Sequence, residues 1–428
     1  MKRIFCFAAF LCSATVLNAL EVSLGAVSAR QVNIVVAPIE TQLKLLMKDL
    51  NTGKETSITQ QNGAITEIGK RTIKISLENL APNTRYKYTF KGTSGEASGV
   101  FKTAPDYKDK TPPPDFSFAV IGKNYVNDKP FDVPFRTNGG EYEIFGSVEN
   151  AKPDFALWVG GIDTLRPADT GSEGAMFYRF QKARALPEAR GMLANVPSFG
   201  ATAPAAFSTE RADKYSPCAP FAKTAFDALW ANPQNGGARY YAFSYADADF
   251  FVLDTCFERS DLDYKSHRAE ILGAEQMKWL MANLEASRAN FKIVVLATPF
   301  ANPVKNPDNF TAAEGERRQL LDFLALKQIE GLLFVSGNKN YAEATRFIRA
   351  GGYPIFEITA GAFTDRPAAD ITEVNYFRVP NSAVKARSFV LVKIDGAEND
   401  RRASFTIIDA KGKTLWQTSV KQSELKGN

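Results

Sequence analysis

The chain has 428 residues, 45% hydrophobic and 12% aromatic, and carries 52 Lys and Arg against 47 Asp and Glu, a formal net charge of +5. Such a chain can bury a large core over two domains, and so mild a surplus, with no basic cluster concentrating it, excludes a charge-driven nucleic-acid binder. A single histidine, His267, excludes any site built on several imidazoles.

Lys2 and Arg3 precede an apolar run from Ile4 to Leu17 that ends near the small residue Ala19, the pattern of a secretory signal peptide over residues 1–19. The run is shorter than the ~20 residues a membrane span needs, and no second long apolar stretch follows. The expectation is an exported chain, secreted or periplasmic, with no transmembrane segment after cleavage. Loss of the two cations lowers the net charge from +5 to +3. Cys6 and Cys12 leave with the peptide, and Cys218 and Cys256 remain, either bridged or as two buried thiols.

From residue 20 to 104 short alternating segments, such as Val32 to Val36, Leu43 to Leu46 and Thr72 to Leu77, are separated by turns like Asn51-Thr52-Gly53-Lys54. They predict a small antiparallel β-sandwich. The run Leu80-Ala81-Pro82-Asn83-Thr84-Arg85-Tyr86-Lys87-Tyr88 resembles the tyrosine corner of fibronectin type III-like domains. Residues 105–114, with three consecutive prolines, read as a linker.

Over residues 115–428 strands alternate with helices. Phe116 to Gly122, Asp154 to Val159, Phe250 to Asp254, Lys292 to Ala297 and Leu332 to Val335 are apolar strands. Met277, Leu280, Met281 and Leu284 share one helix face and belong to the core. Ser388 to Ile394, Ala403 to Ile408 and Thr414 to Val420 return to strand pairs, with a turn at Asp409-Ala410-Lys411-Gly412. The expected class is a layered α/β fold with sheets packed between helices, preceded by the all-β sandwich.

Pro153-Asp154-Phe155-Ala156-Leu157-Trp158-Val159-Gly160, Arg184-Ala185-Leu186-Pro187-Glu188, Trp230-Ala231-Asn232-Pro233 and Leu272-Gly273-Ala274-Glu275-Gln276-Met277-Lys278-Trp279-Leu280, taken in order, resemble scaffold stretches of the alkaline phosphatase D (PhoD-like) metallophosphatases. The resemblance spans nearly the whole mature chain and implies a metallophosphatase fold. The departures fall where that family's chemistry is expected. Its Gly-Ser-Cys is replaced by Gly122-Lys123-Asn124, and its Gly-Asp by Gly160-Gly161. Its Trp-Asp-Asp-His-Asp becomes Thr202-Ala203-Pro204-Ala205-Ala206, and its Gly-Asp-x-His becomes Gly337-Asn338-Lys339-Asn340.

Hydrolysis of a phosphoester in such a site needs hard cations, and carboxylates, thiolates or imidazoles hold them. Amides at Asn124, Asn338 and Asn340 are too weak without a carboxylate, so no metal cofactor and no catalytic residue are expected. Asp163, the one acid near the lost ligands, is expected as an exposed loop carboxylate capping a turn. His267 reads as a surface residue and Asp254 as a structural acid. Lys123 and Lys339 fall in loops that converge in the resembled fold. With Arg179 or Arg184 they are candidates to hold a small anion or phosphoester without cleaving it.

The leading expectation is therefore a secreted PhoD-like pseudo-phosphatase, a binding or structural protein whose partner the sequence does not name. One alternative is a divergent phosphatase or phosphodiesterase holding Ca, Fe or another divalent metal on displaced ligands such as Asp132, Asp163, Asp169 or Glu343. Another is an envelope interaction module acting through the N-terminal sandwich.

Overall fold

The structure, a computed structural model, describes residues 20–37, 42–59, 65–67, 72–107, 112–128, 132, 137–207, 213–260, 269–349 and 352–427. Residues 1–19, expected as a signal peptide, residues 108–111 of the expected linker and His267 lie outside the described residues.

The alternating segments form strands because period-two patterning buries one face of each. They are β1 (Glu21–Val27), β2 (Val32–Ala37), β3 (Lys44–Asp49), β4 (Glu55–Thr59), β5 (Ile65–Glu67), β6 (Ile73–Leu77), β7 (Arg85–Gly92) and β8 (Gly95–Lys102). Two antiparallel four-stranded sheets result, ordered β1-β2-β6-β5 and β4-β3-β7-β8. In β7 the buried residues are Tyr86, Tyr88 and Phe90. The Tyr86 hydroxyl accepts a 2.9 Å hydrogen bond from the Ala81 amide, the return bond of a tyrosine corner.

Beyond Pro114 the strands are β9 (Phe116–Ile121), β10 (Phe155–Trp158), β11 (Ser198–Gly200), β12 (Tyr241–Tyr245), β13 (Ala248–Val252), β14 (Phe291–Val295), β15 (Leu332–Ser336), β16 (Glu343–Phe347), β17 (Ile355–Thr359), β18 (Ser388–Asp395), β19 (Arg402–Asp409) and β20 (Thr414–Lys421). The helices are α1 (Ile144–Asn150), α2 (Glu173–Arg184), α3 (Pro187–Asn195), α4 (Pro204–Phe207), α5 (Ala219–Leu229), α6 (Gly273–Ala286) and α7 (Glu314–Leu326). Two six-stranded mixed sheets form, ordered β11-β10-β9-β18-β19-β20 and β12-β13-β14-β15-β17-β16.

β10, β14 and β15 are buried at every position, as parallel strands covered on both faces must be. The inner faces meet through aromatic rings: Phe155 stacks on Phe118 at 5.3 Å and meets Phe250 edge-on at 5.4 Å. On the outside of the second sheet Met277, Leu280 and Leu284 of α6 are buried, with Met281 packed at the edge of the core.

The sandwich is joined to the layered region at the C-terminal end of α5. There the last carbonyls of a helix lack partners within it. Lys74 of β6 donates to the Asp227 and Trp230 carbonyls, Thr72 to Ala228, and the β1 amide of Ala26 to Ala231. Arg184 of α2 donates to the Leu229 carbonyl. Two cations at this terminus also suit the negative end of the helix dipole.

Candidate functional site

The parallel strands of both sheets end on the same side, and their loops interlock there. Lys123, after β9, bridges to Ala362, after β17, and Thr202, after β11, bridges to Asp254, after β13. Glycines allow the approach: a Cβ on Gly122 would lie 1.9 Å from the Gly361 carbonyl oxygen, and one on Gly160 would lie 2.2 Å from Gly122. Crevices at the carboxyl ends of parallel strands are where ligands bind in open α/β sheets.

Asn124 is fully buried and both ends of its amide are engaged, the Nδ2 donating to the Ile162 carbonyl and the Oδ1 accepting from Thr364. Gly161, with φ of 77°, together with Thr202, Ala203, Phe180, Phe226 and Trp230 lines a small apolar hollow of about 20 Å³, room for one water at most. Thr202 donates to Asp254 at 2.7 Å. Asp254 also accepts from the amides of Cys256 and Phe257, as a structural acid does, and burial raises its carboxyl pKa against these donors. Pro204 opens α4, and the side chains of Ala205 and Ala206 lie outside the described residues.

Several expectations are corrected. Asp163 is not an exposed cap but has 0% exposure, forming a 3.1 Å ion pair with Arg179 and accepting from the amides of Val126 and Thr164. Burial raises its pKa, while Arg179 and the two amides oppose the rise. Arg179 is not an anion ligand either: equally buried, it donates to the Val126 and Thr164 carbonyls and stacks 4.5 Å over Tyr125. Arg184 sits at the α5 terminus over Trp230, and burial lowers its pKa to about 10 with Glu21 opposing. Cys218 and Cys256 are buried free thiols rather than a disulfide.

The acids weighed as displaced ligands are held by arginines. Asp169 takes a two-pronged contact from Arg166, and Asp132 lies 3.7 Å from the same guanidinium. Glu343, fully buried, pairs with Arg378 at 2.6 Å and accepts from Asn302 at 2.9 Å, in a network apart from Arg166. Among the described residues no three His, Cys, Asp or Glu side chains come together in a metal-holding group.

Of the two loop lysines, Lys123 donates to Asn340 Oδ1 at 3.2 Å. Lys339 is 6% exposed and pairs at 3.0 Å with Glu373, a residue that sequence reasoning passed over. The same carboxylate accepts from Asn302, Asn306 and Asn309 and from the Tyr341 hydroxyl. Burial works to raise the Glu373 pKa, but Lys339 and the amide donors outweigh it and hold it below its ordinary value. No spacing in the sequence announces this group, because its donors, three amides from the loop after β14 and Lys339 and Tyr341 from the loop after β15, meet a carboxylate from a third segment.

The model of the PhoD-like phosphatase family matches residues 214–403. The solved structure of PhoD superposes with a TM-score of 0.75 at 16% identity, covering 96% of this chain and 91% of that one. The scaffold is PhoD-like. A purple acid phosphatase, PPD1 from seeds of yellow lupin (Lupinus luteus), also aligns, with a TM-score of 0.65, 11% identity, and coverage of 94% of this chain and 74% of that one. Among curated proteins none matches the sequence.

The residues now at the strand ends do not fit a divalent cation. Gly161 and Ala203 bring no side-chain ligand atom, Asn124 has both ends of its amide engaged, and Lys123 and Lys339 place ammonium groups in two of the loops. Such a cation calls for several anionic or imidazole ligands. What the arrangement does hold is a carboxylate of the chain itself, Glu373, through Lys339 and neutral donors.

Proposed function

We propose that this chain is a secreted, PhoD-like pseudo-phosphatase: a binding or structural protein that keeps the scaffold without metal-assisted hydrolysis. The observation that carries the reading is the Lys339–Glu373 pair, in which an ammonium is neutralised by a carboxylate at the strand ends where the resembled family would place its metal-binding motif. The pair uses up the carboxylate that stands there, so Glu373 is engaged by an ammonium rather than free to ligate a dication. Export rests on the signal-peptide pattern of residues 1–19. Among the described residues no helix is long and apolar enough to cross a membrane. The small anion inferred as its ligand would meet Lys339 rather than Arg179 or Arg184.

The test is element analysis of the purified protein beside hydrolysis of chromogenic phosphate mono- and diesters with added calcium, iron, manganese or zinc. The expected outcome is no stoichiometric metal and no turnover above buffer. Turnover abolished by a chelator would restore the enzymatic reading.

A further inference from the structure

Five donors converge on the Glu373 carboxylate. Oε2 receives Lys339 Nζ at 3.0 Å and Asn306 Nδ2 at 2.9 Å, and Oε1 receives the Tyr341 hydroxyl at 3.2 Å, Asn309 Nδ2 at 3.4 Å and Asn302 Nδ2. One cation and four neutral donors around two oxygens make a pocket complementary to a carboxylate, with charge-assisted hydrogen bonds at its centre. The adjacent Asn338 is 4% exposed and its buried Oδ1 has no hydrogen-bond partner among the described residues.

The present occupant arrives on a weakly anchored segment. Residues 366–375 are an irregular strap laid across the loop after β15, and none of residues 366–374 is buried. Val374 is 60% and Tyr376 86% exposed. The backbone of the strap is held by polar contacts: Asn340 donates to the Arg366 carbonyl at 2.6 Å, Ala368 to the Asn340 carbonyl at 2.8 Å, Lys385 to the Ala369 carbonyl at 2.7 Å and Arg378 to the Glu373 carbonyl at 3.0 Å. Asn375, donating to Thr345 at 2.9 Å, marks where firm packing resumes. Pro367, Ala368 and Ile371 are only half-buried, so apart from the Glu373 carboxylate the strap is held chiefly by hydrogen bonds that each contribute only ~0.5–1.5 kcal/mol net.

We propose that this pocket is a receptor for a small free carboxylate, held shut in cis by Glu373, and that ligand binding exchanges one carboxylate for the other and releases the strap. The proposal deepens the anion-binding part of the function proposed above and rests on it. A tethered carboxylate competes at high effective concentration, so the intact protein binds weakly and removal of the tethered charge unmasks the pocket.

The test uses the full mature chain and succinate as probe. Calorimetric titration compares the wild type with Glu373→Gln and with Glu373→Gln combined with Lys339→Met, while amide exchange over residues 366–375 is followed in the wild type at saturating succinate. The expected result is binding at least ~10-fold tighter in Glu373→Gln, its loss in the double variant, and faster exchange confined to the strap of the wild type. Equal affinity in wild type and Glu373→Gln overturns the proposal, as does an unchanged strap. Should Glu373→Gln fail to fold, the wild-type exchange alone decides. Metal analysis of the same samples separates the two readings: bound divalent metal sinks the pseudo-phosphatase reading, whereas a strap indifferent to succinate in metal-free protein sinks only this one.

Discussion

Replacing Asp163 by Asn tests whether the acid that follows Gly160-Gly161 is part of the scaffold or part of a site. Asp163 and Arg179 are both completely buried, and their ion pair spans 3.1 Å. Removing one charge of a buried pair leaves the other unpaired, at a cost of ~3–5 kcal/mol. The lower end applies here, because Arg179 keeps the Val126 and Thr164 carbonyls and lies 3.7 Å from Asp169. An asparagine also retains one oxygen for the Val126 and Thr164 amides. With an unfolding entropy of ~2.1 cal/mol/K per residue, a chain of about 400 residues gives roughly 0.8 kcal/mol/K, so a loss of ~3 kcal/mol lowers Tm by about 4 °C. Scanning calorimetry measures this, and the double variant Asp163→Asn with Arg179→Met should lose less than the sum of the two single changes. A Tm within 1 °C of the wild type, or strictly additive losses, would refute the reasoning.

Glu21 carries a pH dependence: burial raises its pKa to about 7, with Arg190 and Arg184 opposing. Because the folded state binds this proton more tightly than the unfolded chain, stability is full below the ordinary carboxylate range and falls as pH rises towards 7. Glu21→Gln should flatten Tm between pH 5 and 8, and an unchanged profile would discount the group. Gly122→Ala should prevent folding or lower Tm severely, since its Cβ would collide with the backbone of Gly361; a soluble variant with native circular dichroism and an unchanged melt contradicts the loop packing. Cys218 and Cys256 are buried, and burial raises the Cys256 thiol pKa, so a thiol reagent should label neither until denaturant is added. Labelling within seconds in buffer would place one of them at the surface.

Much of the scaffold was legible because its signals are local. The alternation in Ile73-Lys74-Ile75-Ser76-Leu77 and the apolar runs at Phe155–Trp158 and Leu332–Ser336 each report burial through spacing alone, and the strands formed where expected to within a few residues. Phe250 to Asp254 was extended too far: β13 ends at Val252, and Asp254 turns away to meet Thr202 and its neighbouring amides. The expectation that the family's ligand pattern is absent was likewise a reading of single positions, since which side chain stands at a position is given by the sequence.

By itself the sequence determined which residues stand at the ends of the strands, Gly161, Ala203 and Asn338 among them, where the resemblance to the PhoD-like family implies acids. Only the tertiary structure decided which charges neutralise which. Asp163 with Arg179, and Lys339 with Glu373, are separated by 16 and 34 residues and lie on different elements. Burial makes an unpaired charge costly, so each buried ion takes the counter-ion that folding delivers, and that choice depends on loop crossings that no local pattern encodes.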